Sequence, residues 1–217
     1  MKATAIVPAF NEENNIGNVL QVLVKVDLLG EIIVVDDGSA DKTAEISASY
    51  GVRVIRLNQN LGKGGAMMKG VQAATFPNLL FLDADLIGLT KEHVVSLLTP
   101  VIADECIMTI GIFEKGRFAT DLAQFLAPFL SGQRAVKMDL FYKTCDLNAT
   151  RFGVEVALTK YADDYALMVE EIVLKELTHV MKEEKLGLVK GMAARMKMYW
   201  EIAKFVSKDR KNETKAK

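Results

Sequence analysis

Acidic residues recur in pairs where short apolar runs end. Asp83-Ala84-Asp85 follows Leu79 to Leu82, and Asp36-Asp37-Gly38-Ser39-Ala40-Asp41 follows Ile32 to Val35. A carboxylate pair at the end of a buried strand suits a hard divalent cation, Mg²⁺ or Mn²⁺, which takes oxygen ligands and shares them with substrate phosphates. Strand alternation would send Asp83 and Asp85 to opposite faces, so their joint use requires the chain to turn there. The competing use is structural, with one Asp capping the next helix. In the second cluster Gly38 permits a positive φ and Asp or Ser can cap, but two consecutive acids exceed what a turn needs. A carboxylate in such a crevice accepts hydrogen bonds from a nucleobase imide or a ribose hydroxyl.

Gly62-Lys63-Gly64-Gly65 leaves backbone N–H groups bare ahead of a helix and adds one cation, a means of holding a phosphate or a base; a glycine hinge is the alternative. Neither GxxxxGK[ST] nor GxGxxG occurs, which removes the main support for an ATPase or a NAD enzyme. The histidines are His93 and His179. His93 falls in an amphipathic stretch and is read as structural or superficial. The role of His179 is open from spacing alone, although an imidazole can complete a carboxylate site for Mn²⁺. Cys106 and Cys145 have no CxxC spacing and are expected to be reduced, buried thiols.

These clusters need elements to position them. Ala3 to Val7, Ile32 to Val35, Val52 to Leu57 and Leu79 to Leu82 are short, continuous apolar runs that read as strands. Each precedes a helical pattern: Ile16, Val19, Leu20 and Leu23; then Lys42 to Tyr50; then Gly64 to Ala74; then Lys91 to Leu98. Strand-helix alternation with unbroken apolar strands predicts an α/β fold, a mainly parallel sheet flanked by helices on both faces. In such sheets ligands bind at the carboxyl ends of strands, where the acidic and glycine-rich clusters fall. Cys106 to Phe113 reads as a fifth strand. Glu114 to Arg151 has no dominant period, and Leu167 to Met181 and Leu188 to Val206 read as helices.

The 217 residues, half apolar and a quarter charged, suffice for one domain with a sizeable core. No apolar run approaches the ~20 residues of a membrane span. The opening Met1-Lys2 leads into an apolar segment too short for a signal sequence, so a cytoplasmic protein is expected. No nucleic-acid partner is expected; a homodimer is left open. The net charge of −1 hides an asymmetry, with +6 over residues 179–217 and −7 over residues 1–178.

Four segments in order, Ile6-Val7-Pro8-Ala9-Phe10-Asn11-Glu12-Glu13, Val34-Val35-Asp36-Asp37-Gly38-Ser39, Asn60-Leu61-Gly62-Lys63-Gly64 and Phe81-Leu82-Asp83-Ala84-Asp85, together resemble the family 2 glycosyltransferases of GT-A fold across residues 1–110. The resemblance implies transfer of a sugar from a nucleotide diphosphate sugar with Mn²⁺ or Mg²⁺. It implies that Pro8, Ala9, Asn11 and Glu12 line the nucleotide pocket and that Asp36 or Asp37 meets the base. Gly62, Lys63 and Gly64 lie beside the nucleotide, Asp83 and Ala84 near the ribose or sugar, and Asp85 on the metal. Ser131-Gly132-Gln133-Arg134-Ala135 and Arg151-Phe152-Gly153-Val154-Glu155-Val156 are similar to segments of the polyprenyl-phosphate sugar synthases and glucosyl-3-phosphoglycerate synthases, with Arg151 where the second group has a glycine. That likeness implies a phosphate-bearing acceptor, a polyprenyl phosphate or a small phosphorylated acid. It also implies Asp85 and Glu155 as catalytic residues and His179 as the second metal ligand. Arg117, Arg134 and Arg151 are candidates for the acceptor phosphate, since guanidinium pairs bidentately with phosphate.

The expected domain is therefore residues 1–206, with a nucleotide-sugar half (1–110), an acceptor half with C-terminal helices (111–206) and a polar tail (207–217). Lys190, Lys197, Lys204 and Lys211 recur every seven residues beside Leu188, Met192, Met196 and Tyr199, an expected basic amphipathic helix. Such a helix either packs on the domain or lies on an anionic membrane, which would make the protein peripheral at the inner face. A sugar-phosphate nucleotidyltransferase is disfavoured because its glycine-rich opening is missing. A noncatalytic nucleotide-sugar sensor or adaptor is the alternative; the intact set Asp36, Asp37, Asp83 and Asp85 argues against it.

Overall fold

The computed structural model describes residues 1–113, 131–144 and 153–179, His179 by its backbone only. The compact unit considered below is Met1–Thr178. The elements run β1 (Ala3–Ala9), α1 (Ile16–Leu23), β2 (Leu29–Asp36), α2 (Thr43–Ser49), β3 (Arg53–Arg56), α3 (Gly62–Ala73), β4 (Asn78–Phe81), β5 (Leu86–Ile87), α4 (Lys91–Ile102) and β6 (Met108–Phe113). After residues outside the description come β7 (Arg134–Lys137), α5 (Met138–Thr144), α6 (Gly153–Asp164), β8 (Val169–Leu174) and β9 (Thr178–His179).

The main sheet has the order β3-β2-β1-β4-β7-β6-β8. All its neighbours are parallel except β7, which runs against both β4 and β6. Reversal of β7 has a direct consequence for chemistry. Its beginning reaches the edge where the parallel strands end, as the pairing of Phe81 with Arg134 shows.

Both faces of the sheet are buried, and strand alternation sorts the core into two. Ala5, Val7 and Ala9 of β1 pack with Ile16, Leu20 and Leu23 of α1 and with Val94, Leu97 and Leu98 of α4. Ile6, between them in sequence, packs on the opposite side with Met67 and Val71 of α3 and with Phe141 and Leu158 of α5 and α6. In β4 the same division places Leu80 in the first cluster and Leu79 and Phe81 in the second. Close seating of α3 depends on Gly70, where a Cβ would stand inside contact distance of Ile6.

The four sequence-predicted strand-helix pairs are present, with ends shifted by a few residues. His93 is structural: its backbone N–H donates to Thr90 Oγ1 and its Nδ1 accepts from the Thr90 N–H, both at 3.3 Å, capping α4. Cys106 is a buried free thiol; Cys145 lies outside the described residues. One expectation is corrected. Within the expected helix Leu167 to Met181, the described residues 167–179 are not helical but contain β8, which pairs along Met108–Phe113. Ala166 and Glu176 have φ of 49° and 58°, which no right-handed helix accommodates, and the β-branched Val169, Ile172 and Val173 between them suit a strand. The expected helix Leu188 to Val206, the polar tail and the boundary at 206 lie outside the described residues.

If α3 rests on β1 through Gly70, Gly70→Ala should destabilise the protein by about 1–3 kcal/mol, the usual cost of overpacking a filled core. Urea unfolding checks this; an unchanged midpoint would contradict the packing described.

Candidate active site

The turns after β1 and β2 are laced together by side chains bonded to backbone. Asn11, at φ 55°, donates its N–H to Ser39 Oγ at 2.9 Å, and its Oδ1 accepts the Ala40 N–H at 2.9 Å. Glu12 N–H donates to Thr43 Oγ1 at 2.8 Å, Glu13 N–H to Asp41 Oδ2 at 3.0 Å, and Lys42 N–H to Glu13 Oε2 at 3.1 Å. Asn11, Glu12 and the acid-rich turn thus form one unit. Gly38 is required within it, since at φ 79° a Cβ would lie 3.2 Å from the Asn60 nitrogen.

Asp36 and Asp37 occupy buried positions in this unit. Asp36 Oδ1 accepts the Ser39 N–H at 2.9 Å, and its Oδ2, which accepts no hydrogen bond, lies 3.4 Å from Arg56 Nε. Asp37 reaches across to the third loop. Its two oxygens accept the N–H groups of Leu61 and Gly62 at 2.7 and 2.8 Å, the first donors of α3. Burial pushes the Asp37 carboxyl up, while those two N–H groups pull it back. The paired acids of the sequence therefore divide their work: Asp37 anchors the glycine-rich loop that carries Lys63.

Lys63 Nζ lies 2.6 Å from Asp83 Oδ1 and 2.8 Å from Glu155 Oε1. Its side chain is 34% exposed, Asp83 29% and Glu155 10%. Burial pulls the Lys63 ammonium down, but the two carboxylates outweigh it and hold the group above its ordinary value. Asp83 Oδ2 accepts Gln133 Nε2–H at 2.8 Å. Gly132 closes against this group so tightly that a Cβ there would lie 2.5 Å from Lys63 Nζ and 2.6 Å from Asp83 Oδ2. Beyond Asp83 the chain turns at Ala84 and Asp85 before β5, so strand alternation does not govern the two aspartates. Ala84 is buried and Asp85 partly exposed.

Pro8, Ala9, Asn11, Glu12, Asp36, Asp37, Gly62, Lys63, Gly64, Asp83, Ala84 and Asp85 all lie at or next to this edge of the sheet. Arg134 does not line it. Its side chain is fully buried and its donors are spent on protein acceptors, so the core and not the surface is its place. Arg117, Arg151 and the His179 side chain lie outside the described residues. Among the described residues no three His, Cys, Asp or Glu side chains gather as a metal site. The sequence marks Gln133 only within the Ser131–Ala135 segment and Ser39 only as a possible cap, and Thr43 is not singled out, although its place in the polar turn was the available signal.

A family model described as Glycosyl transferase family 2 matches residues 4–155. Glucosyl-3-phosphoglycerate synthase from Mycobacterium tuberculosis, crystallised with Mn²⁺, UDP and glucosyl-3-phosphoglycerate, is similar at a TM-score of 0.72 and 26% identity, covering 82% of this chain and 72% of that one. Its complex with Mn²⁺, UDP-glucose and phosphoglyceric acid gives 0.70 and 27%, over 82% and 71%. A curated relative, 4,4'-diaponeurosporenoate glycosyltransferase of Staphylococcus aureus, is 36% identical over 100 residues, 44% of this chain and 27% of that enzyme. The match thus spans about a quarter of the length of the curated relatives.

A raised ammonium stabilises the fold fully below its ordinary value of 10.5, and that contribution is lost as pH climbs through the folded-state value. Lys63→Met should therefore cost about 1–3 kcal/mol, discounted for its partial exposure. The deficit against the wild type should be constant from about pH 7 to 9 and shrink above about pH 10.5. Urea denaturation of both proteins across this range is the check; a deficit independent of pH would contradict the ionic account.

Proposed function

The chain belongs to glycosyl transferase family 2, and from that membership we propose that it transfers a sugar from a nucleotide diphosphate sugar to a phosphate-bearing acceptor, with Mn²⁺ or Mg²⁺. The observation that carries this reading is the meeting of Lys63, Asp83 and Glu155, three residues from separate segments, at the edge where the loops after β1 and β2 are fused. Pro8, Ala9, Asn11 and Glu12 line the nucleotide side. Asp36 or Asp37, in the turn fused to that of Asn11, is the proposed carboxylate for the base. Lys63 stands where the donor's phosphates and sugar adjoin, and Asp83 and Glu155 present carboxylate oxygens to sugar hydroxyls.

The residues present fit a divalent cation. Asp85, partly exposed in the turn before β5, is the proposed carboxylate for the metal, and such cations bind through one or two carboxylates plus substrate phosphates. His179 is the proposed second ligand, on the likeness of the sequence to the glucosyl-3-phosphoglycerate synthases. When bound, the cation supplies positive charge to the leaving diphosphate. Glu155 orients the reacting hydroxyl or the sugar, with Arg117 and Arg151 as the proposed contacts to the acceptor phosphate. The synthase structures that hold glucosyl-3-phosphoglycerate or phosphoglyceric acid support a small phosphorylated acid as acceptor.

Thermal-shift titrations with UDP-, GDP-, ADP- and CDP-glucose, with and without Mn²⁺, test the donor. UDP-glucose with Mn²⁺ should raise Tm, since a ligand at 100-fold its Kd adds about 2.7 kcal/mol, and Asp85→Ala should abolish the metal-dependent part. Transfer of labelled glucose to 3-phosphoglycerate, compared with polyprenyl phosphate in vesicles, tests the acceptor. No shift with any nucleotide would overturn the donor reading, a shift without transfer to either acceptor would favour the noncatalytic sensor, and labelling of the lipid alone would overturn the small-acid reading.

A further inference from the structure

At the start of β7 two successive residues take hold of different elements. Gln133, almost wholly buried, donates to Asp83 as described. Arg134 donates from Nε and one terminal nitrogen to the Ser131 carbonyl at 3.1 and 2.6 Å. Its other terminal nitrogen donates to the Glu155 carbonyl at 3.0 Å and to Thr159 Oγ1 at 3.3 Å. Glu155 lies in the first turn of α6, so the guanidinium braces that turn against the strand opening, twenty-one residues away in sequence.

A buried guanidinium is costly: desolvation takes several kcal/mol, and an apolar side chain of similar volume would often be as stable. Burial pulls Arg134 down to about 10, with the charges of Glu155 and Asp83 acting the other way, so it stays a cation at neutral pH. What an apolar side chain could not do is span two carbonyls on different elements. The braced carbonyls flank the ionic group. Ser131 precedes Gly132, which abuts Lys63 and Asp83, and Glu155 places its own carboxylate 2.8 Å from Lys63 Nζ.

We propose that Arg134 is a positioning residue: by tying the Glu155 carbonyl to that of Ser131 it fixes the Glu155 carboxylate on Lys63. Its consequence for catalysis rests on the sugar-transfer reading above; its effect on Lys63 does not.

The sign of one titration separates positioning from other roles. Removing a nearby cation would by itself make Lys63 easier to protonate, whereas displacing Glu155 makes it harder. The Lys63 Nζ resonance, assigned by its loss in Lys63→Arg, is therefore followed against pH by heteronuclear NMR. In Arg134→Met the Lys63 titration should move down by about one pH unit or more. Arg134→Lys, whose single ammonium cannot span both carbonyls as the guanidinium fork does, should lie between that variant and the wild type. A Lys63 titration unmoved or raised in folded variants would overturn the proposal, as would failure of both variants to fold, which would confine Arg134 to a core role. In transfer assays Arg134→Met should lower kcat about tenfold or more with a smaller change in donor KM. If the wild type transfers no sugar while its Lys63 titration responds as stated, the transfer reading fails and the positioning stands.

Discussion

One ammonium shared by two carboxylates organises this edge of the molecule. Asp83 and Glu155 are no farther apart than about 5.4 Å, given their distances to Lys63 Nζ. Two carboxylates at that separation resist ionising together unless a cation lies between them. Lys63 supplies that cation, and its raised protonation is the other side of the same interaction. Nearly every polar contact around it serves to hold one of the three partners. Asp37 fixes the first N–H groups of the helix that carries Lys63, Gln133 holds the second oxygen of Asp83, and Arg134 bonds the carbonyl of Glu155.

The sheet makes that convergence possible. Parallel β1, β2, β3 and β4 deliver their trailing loops to a single edge, the usual place for ligands in α/β folds. The antiparallel β7 adds its beginning to the same edge, so Gly132 and Gln133 arrive beside Asp83 although fifty residues separate Gln133 from it in sequence. Glycine at position 132 is a steric requirement here, because the ion pair occupies the space a Cβ would need.

The first half of the chain was legible in its sequence because each strand is a short apolar run bounded by polar turns and followed by a helical period. The acidic and glycine-rich clusters could be placed at strand ends for the same reason. The division of labour between Asp36 and Asp37 was not legible: both are acids at one turn, and only geometry shows Asp37 capping α3. Cys106 to Phe113 was still legible as a strand and is β6, but past it local pattern lost its force. Val169 to Leu174 lies inside a stretch with a helical apolar spacing, and its strand state is decided by pairing with β6 and by the left-handed residues at 166 and 176. Arg134 shows the same limit, since nothing in an arginine's sequence context distinguishes a phosphate ligand from a buried brace.

If the donor binds on the Lys63, Asp83 and Glu155 group, Gly132→Ala disturbs its site without substituting any of the three. The measurement is calorimetric titration of UDP-glucose with Mn²⁺ into the wild type and Gly132→Ala, with circular dichroism to confirm that the variant is folded. The added methyl should displace Lys63 from Asp83 and weaken donor binding about tenfold or more, some 1.4 kcal/mol. Equal affinity in a folded variant would contradict it.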